Sequence, residues 1–271
     1  MKISVAIPDS TLIDEFSQLE KTRKISFISR ACSIFRTDTI YIYQEKEGNK
    51  KDRFLLSTIL RYLETPQYLR KLVFQKMDAL KFAGITQPLK TPHHSVSPDI
   101  VKVKAGDIRE GLVINSQGKR FVHVGFNKLI PYFGKEKAGK RTTIKFTSDY
   151  PNLSIQEIPR NEIQEYWGYM VKEIGSLPTL LSKWNLDIIF TSKKGKTINL
   201  EKKLLQNNTH TLIVFGSPRR GLFEILGSTI KTIPRSLILN FFPNQGTETV
   251  RLEEAILGTL TILNSYDFNQ V

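Results

Sequence analysis

Three segments in the last third of the chain set the tightest limit on its fold. Leu186-Asp187-Ile188-Ile189-Phe190, Thr211-Leu212-Ile213-Val214-Phe215 and Ser236-Leu237-Ile238-Leu239-Asn240-Phe241-Phe242 are near-continuous apolar runs. A strand with one face in water alternates polar and apolar residues, whereas runs like these need cover on both faces. They point to a parallel sheet with helices on each side. The N-terminal part agrees: Ile3–Ile7 reads as a short strand ended by Pro8, and Thr39–Tyr43 as another by its β-branched and aromatic content. Between them Asp9 or Ser10 can cap a helix running to about Lys21. Lys24–Phe35 then sets Ile28, Ala31, Cys32 and Phe35 at helical spacing, as a second helix or a continuation of the first. Arg53–Leu63 is expected to be helical, and Pro66–Phe74 to start a further helix. Strand–helix–strand order at this spacing predicts an α/β fold.

The pattern changes near Pro88. Five short alternating strands are expected at Ile100–Lys104, Arg109–Ile114, Arg120–Val124, Thr142–Phe146 and Ser154–Ile158. Asn115-Ser116-Gln117-Gly118 is a hairpin turn, because Gly118 accepts a positive φ. So many short strands in so few residues suggest a small barrel resembling an OB-fold, a class that binds nucleic acid through a basic, partly aromatic face. Candidates for that face are Lys119, Arg120, Phe121, Phe126, Lys128, Lys140, Arg141 and Lys145; the plain alternative is that the aromatics are core and the lysines solvated. α/β character returns at about Glu165, with Thr179–Lys183 helical and Thr191–Lys196 a polar loop. Leu252–Leu263 is an apolar helix whose first turn carries Glu253 and Glu254, where carboxylates complement the helix dipole. A helix this apolar needs cover on two sides, from the sheet and from a second subunit.

Charge narrows the partner. Forty basic against 26 acidic residues give a net charge of +14 and a pI near 9.7. That excess favours a polyanion, nucleic acid before membrane, over a merely basic surface. Residues 89–164 carry 13 basic and 7 acidic groups, net +6, and are the most basic part per residue. The single Cys32 excludes an intramolecular disulfide and a cysteine-cluster metal site. His93, His94, His123 and His210 show no metal-ligand spacing, so no metal is expected. No apolar stretch reaches the length of a membrane span, and the N-terminus lacks a secretory h-region; the expectation is a cytoplasmic protein without a membrane partner.

Two late strands run into turn-rich loops. Phe215-Gly216-Ser217-Pro218-Arg219-Arg220-Gly221-Leu222 matches neither the dinucleotide fingerprint nor the phosphate loop, although its glycines allow close backbone approach to a ligand. Pro243-Asn244-Gln245-Gly246-Thr247-Glu248-Thr249-Val250-Arg251 leads directly into the last helix. Ligands of open α/β sheets bind at the carboxyl ends of strands, where both loops lie.

Taken together, these loops and the segment Thr249-Val250-Arg251-Leu252-Glu253-Glu254-Ala255-Ile256 resemble SPOUT methyltransferases, and more narrowly the archaeal and eukaryotic RNA uridine-N3 methyltransferase family. The likeness includes Ser29–Phe35, Tyr62–Arg70, Phe82-Ala83-Gly84-Ile85, Pro92-His93-His94, Arg109-Glu110-Gly111 and Tyr166-Trp167-Gly168-Tyr169. The resemblance implies a trefoil-knotted α/β domain from residues 1–88 and 165–271, an inserted OB-like RNA-binding domain over 89–164, and a homodimer with the last helix in its interface. It implies S-adenosyl-L-methionine as cofactor, held by Thr191, Ser192, Phe215, Gly216, Ser217, Gly221, Leu222, Phe242, Pro243, Asn244, Gln245, Gly246, Thr249 and Val250. Relatives place glycine where this chain has Asn244, and asparagine tolerates the same left-handed geometry. RNA is the implied substrate, with Arg219, Arg220 and Arg251 added to Lys119, Arg120, Lys128, Lys140 and Arg141 as contacts. Arg30, flanked by apolar residues on its helix, is the candidate cation for an anion developing on the base; pairing with a structural acid is the other reading. Glu248 and Glu253 are possible bases. A non-catalytic RNA-binding protein on the same fold is the alternative function. A dinucleotide-dependent enzyme is disfavoured, since no Gly-x-Gly-x-x-Gly follows any strand.

Overall fold

The computed structural model of the protein describes residues 2–94, 97–198 and 210–267. Strands β1 (Lys2–Pro8) and β2 (Thr39–Gln44) bracket α1 (Gln18–Ile34), and α2 (Lys50–Glu64) and α3 (Gln67–Val73) follow. The middle of the chain holds β3 (Ile108–Ser116), β4 (Lys119–His123), β5 (Ile130–Pro131), β6 (Arg141–Phe146) and β7 (Ile155–Glu157). The remainder is β8 (Met170–Ser176), α4 (Leu177–Lys183), β9 (Asp187–Thr197), β10 (His210–Val214), α5 (Leu222–Leu226), β11 (Ser236–Asn240) and α6 (Leu252–Asp267). Two units result: Met1–Arg61 with Ala79–Gln87 and Tyr169–Val271, and Tyr62–Asp78 with Pro88–Gly168.

The first unit is built on a six-stranded sheet of order β11-β9-β10-β1-β2-β8, parallel throughout. The three apolar runs supply β9, β10 and β11, and their burial follows from cover on both faces. Ile188, Ile189, Phe190, Leu212, Ile213 and Val214 are all fully buried. One face packs Tyr43, Phe190, Leu212 and Val214 against Leu177, Leu180 and Leu181 of α4 and Leu222 and Leu226 of α5. Each such side chain contributes roughly 1.5–3 kcal/mol by leaving water. In the same unit α1 packs on α6.

Helix α1 starts later than Asp9 and runs unbroken through Lys24. Ser17 and Glu20 form a reciprocal capping box: the Ser17 hydroxyl accepts the Glu20 amide at 3.1 Å, and the Glu20 carboxylate accepts the Ser17 amide at 3.0 Å. Asp9 is occupied otherwise, its carboxylate accepting the Glu45 amide at 3.0 Å. Two further sequence expectations are corrected. Ile100–Lys102 is a 3-10 turn capped by Asp99, with no strand there. Strand β9 continues through the segment expected to be a loop, but with a break in its ladder: Ile238 of β11 pairs with Phe190, and the next residue, Leu239, pairs with Lys196. Residues 191–195 therefore make no rung with β11. Gly195 is required where the strand returns, since a Cβ there would lie 2.7 Å from the Ile238 carbonyl oxygen.

The second unit carries an antiparallel sheet of order β5-β4-β3-β6-β7. Ser116 pairs with Lys119, which leaves a two-residue turn with Gln117 at φ 50 and Gly118 at φ 74, the primed geometry that suits twisted hairpins. Val113, Val122, Val124, Phe126, Ile130, Ile144 and Phe146 form its apolar core.

Beside that core lies a buried polar centre. Glu64 meets Arg141 at 2.7 Å and Arg160 at 2.8 Å. Glu110 meets Arg141 at 3.1 Å and accepts hydrogen bonds from Thr143 Oγ1 and Trp167 Nε1, both at 2.9 Å. His93 and His94 both hydrogen-bond the Glu64 carbonyl oxygen through Nε2, at 2.9 and 2.7 Å. Each ring must donate, so both carry the proton on Nε2. Burial opposes ionisation of Glu64, yet Arg141, His93 and Arg160 hold its carboxyl well below the usual carboxylate range. Four of the segments that carry the family resemblance, around Glu64, His93, Glu110 and Trp167, thus meet in one network.

Candidate active site

A cavity of about 380 Å³ opens at the carboxyl ends of β10 and β11 and beside the break in the β9 ladder, a volume typical of small-ligand sites. Three stretches wall it: Thr191–Lys194, Phe215–Glu224, and Asn240–Val250 continuing into Leu252, Ala255 and Thr259 of α6. The first wall exists because β9 leaves its ladder at Thr191. Thr191 Oγ1 donates to the Val214 carbonyl at 3.0 Å, and Asn240 Nδ2 donates to the Lys193 carbonyl at 3.2 Å, so the departing strand stays fixed.

The second wall is braced from below and from the side. Tyr43, whose hydroxyl is held neutral by burial and by the nearby acids Glu45 and Asp9, donates to the Phe215 carbonyl at 2.7 Å. Ser217 and Arg220 close the turn on each other, through Ser217 N–H to the Arg220 carbonyl and Arg220 N–H to Ser217 Oγ, both at 2.9 Å. The Arg220 guanidinium pairs with the buried carboxylate of Glu45 and donates to the Glu224 carbonyl at 3.0 Å. Gly216 is obligatory in this turn, because a Cβ would sit 2.9 Å from the Arg220 carbonyl oxygen.

In the third wall Asn244 adopts φ 63, the left-handed geometry a glycine would otherwise take. Gln245 Nε2 donates to the carbonyls of Thr247 and Glu248 at 2.9 and 3.0 Å, which shapes the loop before α6. Phe242 lies against Gly258, where a Cβ would meet its ring at 2.5 Å. Thr259 adds a buried hydroxyl with no hydrogen-bond partner among the described residues.

Of the residues named for the cofactor, Thr191, Ser192, Phe215, Gly216, Ser217, Gly221, Leu222, Phe242, Gln245, Thr249 and Val250 line the cavity. Pro243, Asn244 and Gly246 belong to the same loop but not to the lining. Arg219 and Arg220 line it too; Arg251 does not, and its guanidinium sits 3.7 Å from Glu15. Arg30 is half-buried on α1 and is not among the lining residues. Lys119, Arg120, Lys128 and Lys140 are exposed in the second unit, whereas Arg141 is engaged by Glu64 and Glu110. Phe126 is buried under the Arg109 guanidinium, 4.2 Å away, and so belongs to the core.

The sequence reading missed Lys193, Lys194, Phe223, Glu224, Asn240, Phe241, Leu252, Ala255 and Thr259 as lining residues. Leu252, Ala255 and Thr259 recur at helical spacing, so one stripe of an apolar helix was available as a signal.

Comparison with known proteins decides the family. A family described as "Putative RNA methyltransferase" matches residues 2–263, nearly the whole chain. The chain belongs to it. Among relatives of this RNA methyltransferase is the 28S rRNA (uridine-N(3))-methyltransferase of Homo sapiens, 31% identical over 302 residues, covering 96% of this chain and 77% of the relative. The protein of the same name from Mus musculus is 31% identical over 298 residues, covering 96% and 75%. An uncharacterized protein of Halobacterium salinarum is 29% identical over 290 residues, covering 96% and 98%. As an RNA methyltransferase the chain needs a methyl donor.

Proposed function

We propose that the chain transfers a methyl group from S-adenosyl-L-methionine to N3 of a uridine in ribosomal RNA. The observation that carries this reading is the convergence of three loops on one cavity at the strand ends, in a chain whose named relatives are 28S rRNA uridine-N3 methyltransferases. The residues suit such a donor. Phe215, Leu222, Phe242 and Val250 offer apolar surface for an adenine ring, and the loop backbones offer hydrogen bonds at its edge. Thr259 brings a buried hydroxyl that lacks a hydrogen-bond partner among the described residues, which a polar ligand would satisfy. When bound, S-adenosyl-L-methionine supplies an electrophilic methyl on its sulfonium.

The protein's own part is positioning and charge. Holding the uracil nitrogen in line with the methyl removes much of the entropic barrier. N3 must lose its proton, and Glu248, whose residue lines the cavity, is assigned that proton. Lys193, Lys194 and Arg219 at the same cavity offset the charge of the incoming RNA. Arg30 is assigned to the uracil oxygens from a second copy of the chain. Supporting that homodimer, Phe27 and Ile34 are exposed one heptad apart on α1, with Arg30 between them on the same face. The finer fold reading is a SPOUT trefoil knot for the α/β part and an OB-like RNA-binding domain over residues 89–164, supported by the net charge of +6 there.

Calorimetric titration with S-adenosyl-L-methionine tests the proposal, with Ala255→Trp filling the cavity from α6. Micromolar binding that the variant loses, at an unchanged melting temperature, is expected. No binding to the wild-type chain, with or without RNA, would overturn it in favour of a non-catalytic RNA-binding role.

A further inference from the structure

Phe133, in the loop after β5, is 91% exposed. A large apolar side chain in water on a slack loop would mean little, but this loop is braced. The Tyr132 hydroxyl donates to the Glu157 carboxylate at 2.6 Å and accepts the Glu136 amide at 3.0 Å. The Lys135 amide donates to the same carboxylate at 3.2 Å. Arg120 donates to the Glu136 carbonyl at 3.0 Å and lies 5.6 Å over the Tyr132 ring. The Tyr132 amide in turn donates to the Arg120 carbonyl at 3.0 Å. A ring is thereby presented to solvent on a fixed backbone, with its ordering cost already met by the fold.

What surrounds the ring identifies the partner. Strand pairing sets Pro131 opposite Phe121, and continuing that register sets Phe133 opposite Lys119. Lys119, Lys135 and Lys137 are exposed, and none has a carboxylate partner among the described residues. The Glu157 carboxylate that braces this loop is taken up by the Tyr132 hydroxyl and the Lys135 backbone amide, leaving the Lys135 ammonium unmatched among the described residues. A lone apolar ring among unpaired cations repels a basic protein surface and gives an apolar one too little area. It suits an unpaired nucleobase, whose face stacks on the ring while flanking phosphates meet the lysines.

We infer that Phe133 is a stacking platform for an unpaired base of the RNA substrate, with Lys119, Lys135 and Lys137 as its phosphate contacts. The inference rests on the RNA-methyltransferase reading and adds to it a substrate feature: a single-stranded segment reaching the second unit while the target base is presented to the enzyme. Because every nucleobase has a π-face, this contact is indifferent to base identity and strengthens grip more than choice of sequence.

The test uses the full chain and a fluorescein-labelled oligouridine of about ten nucleotides, read by anisotropy. Phe133→Ala should bind roughly tenfold more weakly and Phe133→Trp should restore binding. Affinity of both for S-adenosyl-L-methionine, and their melting temperatures, should match wild type. Lys135→Gln should lower the slope of log affinity against log salt by about 0.7. Wild-type binding that Phe133→Ala leaves intact would overturn the stacking role alone. A wild-type chain that binds no RNA would overturn the RNA reading as well.

Discussion

The ammonium of Lys24, buried on α1, lies 3.3 Å from the Glu253 carboxylate in the first turn of α6. The same ammonium reaches Asp14 at 2.5 Å and Glu15 at 3.7 Å. One cation thus joins the segment after β1 to the helix that begins where the cavity's last loop ends. Glu253, expected to complement its helix dipole, also anchors α6. Lys24→Met would leave three carboxylates facing one another, and breaking a buried pair from one side commonly costs about 3 kcal/mol. Urea unfolding should show a loss of that order, with partial recovery in Lys24→Met/Glu253→Gln. An unchanged midpoint would mean that water already solvates the cluster.

Arg220 and Glu45 form a second clamp, on the cavity's glycine loop. Arg220→Met should destabilise the chain by about 2 kcal/mol, because Glu45 would be left buried and unpaired. Donor affinity should fall with it, since the guanidinium also fixes the Glu224 carbonyl at 3.0 Å. The double variant Arg220→Met/Glu45→Met should recover most of the stability but not the affinity. Thermal unfolding and calorimetry on the same samples separate the two effects.

The two glycines of that loop should respond differently to alanine. At Gly216 a Cβ would press on the Arg220 carbonyl oxygen at 2.9 Å, whereas at Gly221 nothing lies within 4 Å. Gly216→Ala is expected to weaken S-adenosyl-L-methionine binding by about tenfold, roughly 1.4 kcal/mol, by shifting the turn. Gly221→Ala should change it less than threefold, about 0.6 kcal/mol. Equal losses would mean that the glycines matter for ligand contact more than for backbone shape.

Acid should unfold the protein in two stages. Burial, with His93 alongside, pushes the His94 imidazole down from 6.5 to about 4. The unfolded chain therefore binds a proton that the folded chain refuses, and stability falls as pH drops from 6.5 towards 4. Glu64 acts lower: its carboxyl is held well below 4.5, so its contribution is whole above pH 4.5 and is lost on further acidification. Unfolding free energies from urea titrations should decline with falling pH first by on the order of 2 kcal/mol and then more steeply. His94→Gln should flatten the first decline and leave the second.

Legibility in the sequence followed where the burial pattern was written. Strands β9, β10 and β11 were legible because two-sided burial leaves continuous apolar runs. Strand β8 was not, since Met170–Ser176 lies at the sheet edge with an almost wholly exposed pattern. Strand β5 has two residues and no period to detect. Most of the cavity lining could be named from the glycine loops, but Ala255 and Thr259 sit on a helix whose apolar stripe reads as core. Arg141 looked like a surface cation because its partner Glu64 is 77 positions earlier. Phe133 escaped notice because a phenylalanine in sequence carries no sign of whether it ends inside or outside.

The break in the β9 ladder also has a consequence in time. Every residue lining the cavity lies between Thr191 and Thr259, a stretch the ribosome makes after the whole second unit. Strand β1, made well before β10, takes it as one of its two neighbours and must wait for it with an open edge. A growing chain can therefore complete its second unit long before the cavity exists. Premature termination upstream of α6 would leave a chain with its second unit whole and the cavity's last wall missing.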